Sequence, residues 1–542
     1  MTSVPDLLYL EPLRRLDARA LREALTFAFA TGGTSEIFTK IWERAEFGPS
    51  DFSSDCFARE LFLGDFVSRC LSISVAGQKY VPERAHLQRL IAHPPRDPRV
   101  TQFRHEILRE LSAAPERVEE LGRLAAKIRG LVQRLEAPDR GKRYDAIGRR
   151  IDILRSVREL LDELATAFAG AGPGLGRICQ FALEEQRKPA YDTLVNLLDH
   201  ESDRATIELR VKVGYDGELR SFQIVRAGEN QENPFYRSRF ARLLTKVTLW
   251  LQGYGFREAE LLGRLTNAAF DGVQDCVISL FQLLVDMEFY LASLSLRQLA
   301  QSKGLEMCLP ELVRAADAQS ELEALFNPFL LLEERPPKSA DITASERALV
   351  IITGPNSGGK TRLLQALALA QLLGQSGSFV PARRAVLQAR RGLFVSLSHE
   401  VSSDQREGRL GTELLRIRRM FEQLRFGSLV ILDELCSGTN PSEGEEIFEL
   451  VVSLLAELEP QAFITTHFLQ FASRLEKERP VSRLEFLQVE LDAHENPTYG
   501  FVPGVATTSL AERTAQRLGV TREALRELVD RAKLQISGEK HG

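Results

Sequence analysis

The period of the apolar positions changes along this chain, and the changes mark its parts. Between residue 82 and about residue 200, apolar residues recur three and four apart, the spacing of helices with one buried face. The run VTQFRHEILRELSAAPERVEELGRLAAKIRGLVQRL breaks near Pro115, and YDAIGRRIDILRSVRELLDELATAFA stops at the Gly-Pro cluster of residues 170–174. The period then drops to two. ATIELRVKV and LRSFQIVRA flank Tyr215-Asp216-Gly217-Glu218, which predicts a β-hairpin over about 205–227. Helical spacing returns from Phe256 to Ser302 without a proline. As one helix this stretch would reach roughly 70 Å at 1.5 Å per residue, a strut or lever; the alternative is two helices with a break near Gly272. Residues 328–347, including PFLLLEERPPKSADITA, are rich in proline and charge and read as a linker. From Ala348 onward, β-branched apolar runs alternate with helical segments, the pattern of an α/β domain over 348–542. Residues 1–80 mix Gly, Ser and Phe clusters and receive no assignment. The expected fold is multidomain: a largely α-helical region over 81–327, a linker, then the α/β domain.

Composition adds limits. With 542 residues, 44% apolar and 27% charged, the chain reads as an ordinary soluble protein of two to four domains. A net charge of −5 does not mark a nucleic-acid binder, so a DNA-binding face would be a local basic patch. The six cysteines are scattered without a C-x-x-C pair, which argues against zinc and disulfides and fits the reducing cytoplasm. The N-terminus lacks the basic start and apolar stretch of a signal peptide. The most apolar long run, residues 276–296, carries Asp286 and Glu288 at its centre. Two carboxylates there are costly in a bilayer, so a packed helix is expected and no membrane span.

The candidate chemistry lies in the last third. The apolar strand text of residues 348–353 runs into Gly354-Pro355-Asn356-Ser357-Gly358-Gly359-Lys360-Thr361, then Arg362 and a strong helix pattern. This is G-x-x-x-x-G-K-[ST] in its required strand–loop–helix context. Glycines let backbone N–H groups approach phosphate oxygens, and the helix N-terminus adds partial positive charge. Lys360 should reach the β- and γ-phosphates of ATP, and Thr361 should place its hydroxyl on Mg²⁺. A second strand, residues 428–432, ends in Asp433 and Glu434; Asp433 is the candidate for Mg²⁺ and Glu434 the candidate base for the attacking water. A third strand, residues 462–466, ends in His467, where ligands bind in parallel sheets. A solvated acidic pair and a structural histidine are the alternatives for these two strand ends.

These residues resemble the MutS family. TGPNSGGKTRLLQALALAQLLGQSGSFVPA is similar to its ATPase core, LVILDELCSGTNPSEGEEI to its acidic strand and following loop, and FITTHFLQFA to its histidine switch. GFVPGVATTSLAERTAQRLGV resembles the C-terminal segment that leads into a helix-turn-helix. The order and spacing agree over about residues 348–536, and the wording is closer to the second bacterial MutS branch than to the mismatch-repair enzyme. That branch usually ends in an Smr nuclease domain, for which a chain ending at Gly542 is expected to leave no room. The resemblance implies an ABC-type ATPase working as a homodimer, each site completed by a signature segment from the partner copy. Here that segment matches residues 407–415, with Thr412 at the usual hydroxyl position and Gly411 where a serine is usual. It also implies a ring stacked on adenine shortly before GVATTS; Tyr499 is the candidate, or else a core tyrosine. The helical region, with LLVDMEFYLASLSLRQLAQSKGLEMCLPEL, resembles the family's core and lever.

One family feature is missing. The mismatch-reading wedge sits in a G-x-F-x-E motif, but the nearest string here is Gly64-Asp65-Phe66-Val67-Ser68, so Phe66 is expected in a core. The leading expectation is an ATP-gated dimeric clamp on double-stranded or branched DNA, serving repair or recombination control without direct mismatch reading. Residues 104–155 and Arg237 with Arg239 could supply phosphate contacts, or form a solvated face of i,i+4 pairs. The alternative function is an ATP-dependent module that remodels or grips branched nucleic acid or stalled ribosomes. A transporter ATPase fits less well, for want of an LSGGQ-type signature.

Overall fold

Some helix starts in the first half are capped by aspartate side chains. Asp17 accepts hydrogen bonds from the backbone N–H of Arg19 and Ala20 at the start of α1 (Ala18–Thr31), and Asp97 does so from Arg99 before Pro98 opens a later helix. The structure is a computed structural model that describes residues 4–33, 35–75, 78–137, 143–201, 206–213, 219–228, 256–314, 319–355, 357–397, 409–436, 440–507, 522 and 525–529. Several sequence expectations lie outside these residues: the hairpin turn at 215–218, Arg237 and Arg239, Asn356, the first residues of the signature segment, and the C-terminal helix-turn-helix.

The chain divides into two units. The first takes residues 1–50, 64–299 and 376–378. After α1 it contains α2 (Ser35–Glu43), α3 (Leu63–Cys70), the short antiparallel pair β1 (Ile73–Val75) and β2 (Gln78–Tyr80), and α4 (Arg84–Ile91). Then come α5 (Pro98–Ala113), α6 (Pro115–Glu136), α7 (Arg143–Ala167), α8 (Pro173–Gln186) and α9 (Pro189–Glu201). Strands β3 (Thr206–Val213) and β4 (Leu219–Gly228) pair antiparallel, and α10 runs from Phe256 to Ser302. The helix α10 is unbroken over 47 residues. At Gly272 it is approached by α9: a Cβ there would stand 3.1 Å from the Ala190 Cβ. That glycine serves close packing between helices, so the break considered near it does not occur.

The span 263–302 of α10 is apolar and long enough to cross a membrane, yet its most apolar window is entirely buried in protein. Its two central carboxylates explain how. Asp286 accepts from the Leu7 N–H at 3.0 Å and pairs with Arg15, which also lies 3.5 Å from Asp6; all three side chains are fully buried. Glu288 accepts from the Glu83 N–H at 2.8 Å and pairs with Arg129. Buried charges persist only with such partners. Phe66 is fully buried on α3, as a core residue. The arginines of residues 104–155 are largely engaged within the unit. Arg104 donates to the Leu8 carbonyl, Arg117 pairs with Glu110, Arg123 with Glu120 and Glu163, and Arg155 with Asp152. Arg149 caps four backbone carbonyls, those of Ala28, Phe29, Arg134 and Leu135.

The second unit takes residues 51–63, 300–375 and 379–542. It therefore begins well before residue 348 and includes a segment from the N-terminal part. Strands β5 (Glu311–Val313), β6 (Gln319–Leu325), β7 (Ala340–Ser345) and β9 (Arg384–Gln388) form one sheet in the order β5-β9-β6-β7. The linker reading of residues 328–347 is thus corrected. Pro328–Leu332 is a 3-10 turn, and β7 pairs antiparallel with β6, Ile342 opposite Leu322. Pro336 and Pro337 end just before the strand, and Ala340, Ile342 and Ala344 alternate inward with exposed Asp341 and Thr343. That period-two signal is short and was masked by the preceding prolines and charges.

The main sheet holds β8 (Leu349–Thr353), β10 (Leu393–Ser396), β11 (Leu429–Leu432), β12 (Gln461–Thr465), β13 (Leu484–Leu491) and β14 (Pro497–Pro503). The order is β10-β11-β12-β8-β13-β14, parallel except for β14. Strands β8, β11 and β12 are buried along their whole length, as expected of a parallel sheet covered on both faces. The helices are α11 (Lys360–Ser376), α12 (Arg409–Gln423), α13 (Pro441–Leu458) and α14 (Leu469–Glu478). Val430, Leu432, Ile464, Phe448 and Phe471 share one core between the sheet and α13 and α14.

Candidate active site

The glycine loop follows β8, the acidic pair follows β11, and His467 follows β12 with Thr466 between. All three lie at the carboxyl ends of neighbouring or near-neighbouring parallel strands, so residues far apart in sequence meet. In open α/β sheets this edge is where ligands bind.

Two glycines of the loop have backbone that side chains resist: Gly354 has φ +134° and Gly359 φ +85°. A Cβ on Gly354 or Gly358 would stand 2.7 Å from the Val489 side chain, and one on Gly359 would stand 3.1 Å from the Tyr499 ring. The loop is therefore cradled by β13 and β14. Tyr499, half exposed with φ +66°, lies against it. The strand ahead of the loop is tied to the GVATT stretch, because the Ala506 N–H donates to Thr353 Oγ1 at 2.8 Å. Ser357 is exposed at the loop tip.

Lys360 is buried, and its Nζ donates to the carbonyls of Gly354 and Pro355 at 2.8 and 3.0 Å. Burial pulls its pKa below the ordinary lysine value, while Glu434 and Asp433 oppose the shift. Thr361 Oγ1 donates to Asp433 Oδ2 at 2.5 Å. The other oxygen, Oδ1, accepts from Thr465 Oγ1 at 2.6 Å, and that hydroxyl accepts the Glu434 N–H at 2.7 Å. Glu434 bonds to His467 Nε2 through its carboxylate. Lys360, Thr361, Asp433, Glu434 and His467 thus form one constellation. A hydroxyl and a carboxylate facing each other form a hard-oxygen donor set, which fits Mg²⁺; the glycine cradle, too tight for a Cβ at Gly354 or Gly358, fits a phosphate chain.

Other residues hold this set in place. The side chain of Asn327 bonds to the Arg362 carbonyl at 3.0 Å and to Gln365 at 2.8 Å, and accepts the Phe329 N–H. It therefore braces the first turn of α11. Arg362 itself is exposed and bonds to Gln365. The segment 51–63 meets the edge strand: Glu60 accepts the Leu397 N–H at 3.1 Å just past β10, and Asp51 lies 3.6 Å from Arg425. The sequence shows Thr465 only as one residue within an apolar strand and does not show its partners. Asn327 and Glu60 carry no local signal. Gly411 and Thr412 lie near the start of α12, and the Thr412 side chain is outside the described residues.

Residues 350–534 match the MutS domain V family. A protein of Thermus thermophilus called Endonuclease MutS2 is 28% identical over 403 residues, covering 70% of this chain and 50% of that protein. One of the same name from Thermomicrobium roseum is 32% identical over 36% of this chain and 25% of that protein. A third, from Lacticaseibacillus casei, is 32% identical over 42% of this chain and 30% of that protein. The chain thus spans about half the length of the first of these relatives, and less of the others.

Proposed function

We propose that this chain, which belongs to the MutS family and stands on its MutS2 side, hydrolyses ATP to ADP and phosphate and uses the cycle to gate a homodimeric clamp on DNA. The observation that carries the chemistry is the bonded chain Thr361–Asp433–Thr465–Glu434–His467 beside the glycine loop. The loop amides and Lys360 receive the β- and γ-phosphates, Lys360 turning from the loop carbonyls to do so. Thr361 and Asp433 hold Mg²⁺, which when bound offsets charge on the phosphate oxygens. Glu434 takes a proton from the attacking water. Its bond to His467 links that base to a side chain at the γ-phosphate end. Tyr499, beside Gly359, stacks on the adenine. Little covalent work falls to the protein, so positioning and charge carry most of the rate.

In the dimer, Gly411 and Thr412 of one copy complete the partner's site. The DNA is double-stranded or branched, and the protein works in the cytoplasm in repair or recombination control. Phe66 is fully buried and does not serve as a mismatch-reading wedge. The experiment is the particle mass on duplex and branched DNA, with and without ATP. A doubled mass with ATP, and DNA binding that falls steeply with salt, are expected. A monomer under every condition, or selective recovery of ribosomes instead of DNA, would overturn the clamp.

A further inference from the structure

The turn after β11 carries the most unusual backbone of the site. Glu434 has φ +52° and Cys436 has φ +62°, both in the left-handed region that non-glycine residues avoid. Such backbone persists where its surroundings over-determine it. Among its holds are two side chains that accept its backbone N–H groups. One is Thr465, which accepts the Glu434 N–H. The other is Glu413, whose Oε1 accepts the Cys436 N–H.

Glu413 contributes to neither the glycine loop nor the acidic strand. It lies on α12, next to Thr412. It lines, with Asp433, Ser396, Arg416 and Leu435, a cavity of about 20 Å³ behind the strand end. A side-chain oxygen that accepts a backbone N–H tethers the turn, and this tether spans 23 positions of sequence. No sequence motif points to it.

We propose that Glu413 is a positioning residue: its carboxylate fixes the turn that aims Glu434, and so ties the start of α12 to the base of its own site. This rests on Glu434 being the base. Since Glu413 adjoins Thr412, a shift of the helix start moves the tether as well. The segment offered to a partner copy and the base at home then respond together.

The test separates acceptor position from charge. Glu413→Gln keeps an acceptor oxygen at the same reach without the charge. Glu413→Asp keeps the charge but withdraws the oxygen by one methylene. Glu413→Ala removes both. In the full chain, kcat for ATP is expected to fall about tenfold or more in the Ala and Asp variants, ATP affinity to stay within about twofold, and the Gln variant to regain most of the rate; tenfold is about 1.4 kcal/mol of barrier. The Asp–Gln contrast stands even if the Ala variant does not fold. The proposal is overturned if the Asp variant hydrolyses at the parent rate, if Gln is as slow as Asp, or if ATP affinity falls in step with kcat. Glu434→Gln is measured alongside. If it hydrolyses normally, the base assignment has failed. If it is inactive while the Glu413 variants are normal, only the Glu413 tether has failed.

Discussion

Thr465→Val is the sharpest perturbation of the constellation. Valine has nearly the shape of threonine, so the fully buried position keeps its packing while the hydroxyl is lost. That hydroxyl donates to Asp433 at 2.6 Å and accepts the Glu434 N–H at 2.7 Å. A hydrogen bond to a charged group is worth about 1.5–3 kcal/mol, and a buried N–H left unpaired costs about 1–3 kcal/mol. If about 1.4–2.8 kcal/mol of this reaches the transition state, kcat falls 10- to 100-fold. Single-turnover hydrolysis of radiolabelled ATP reads the chemical step, and equilibrium binding of a slowly hydrolysed analogue reads affinity. Thr465→Ser retains the hydroxyl and should recover most of the rate. Hydrolysis by the valine variant at the parent rate would refute the reasoning, as would a serine variant as slow as valine.

Other expectations follow from packing and burial. Gly354→Ala places a methyl group 2.7 Å from Val489 at φ +134°, so nucleotide binding and thermal stability should both drop, read by analogue binding and a melting curve. Gly130→Ala, in α6 with open space around it, should instead stabilise the chain by about 0.5–1 kcal/mol. Burial pushes the Glu83 carboxyl up to about 7, with Arg129 opposing the shift and Glu288 adding to it. The folded state then holds this proton more tightly than the unfolded one. The resulting stability is fully present below the ordinary carboxyl value and is lost as pH rises through about 7. Glu83→Gln should therefore flatten the fall in melting temperature between about pH 4 and pH 7; a parallel fall in both proteins would contradict the shift.

The parts legible in the sequence are those whose chemistry is local. The glycine loop needs backbone amides from consecutive residues, so Gly354 to Thr361 announce themselves. Asp433 and Glu434 are readable only with the glycine loop upstream, because an acidic strand end by itself reads as a solvated pair. The long helix was readable because no proline interrupts residues 256–302. What stayed hidden depends on partners distant in the chain. Asn327 braces α11 from the last residue before the segment that reads as linker. Glu60 reaches Leu397 across 337 positions. Strand β7 is only six residues long and follows prolines, so charge and proline content outweighed its alternation. The pairing of Arg15 with Asp286 joins residues 271 apart; the sequence implied a packed helix around Asp286 but not which cation meets it.

The central claim is that Glu434 is the base of an ATPase site formed by the glycine loop, Asp433 and Thr465. Its most direct measurement is Glu434→Gln in the full chain, with hydrolysis and ATP binding followed in the same preparation. Glutamine keeps the size of the side chain and an oxygen for His467 but is a far weaker base. The account predicts ATP binding near the parent level and turnover reduced by about 100-fold or more, the scale of a lost general base. Turnover at the parent rate, or loss of binding together with turnover, would contradict it.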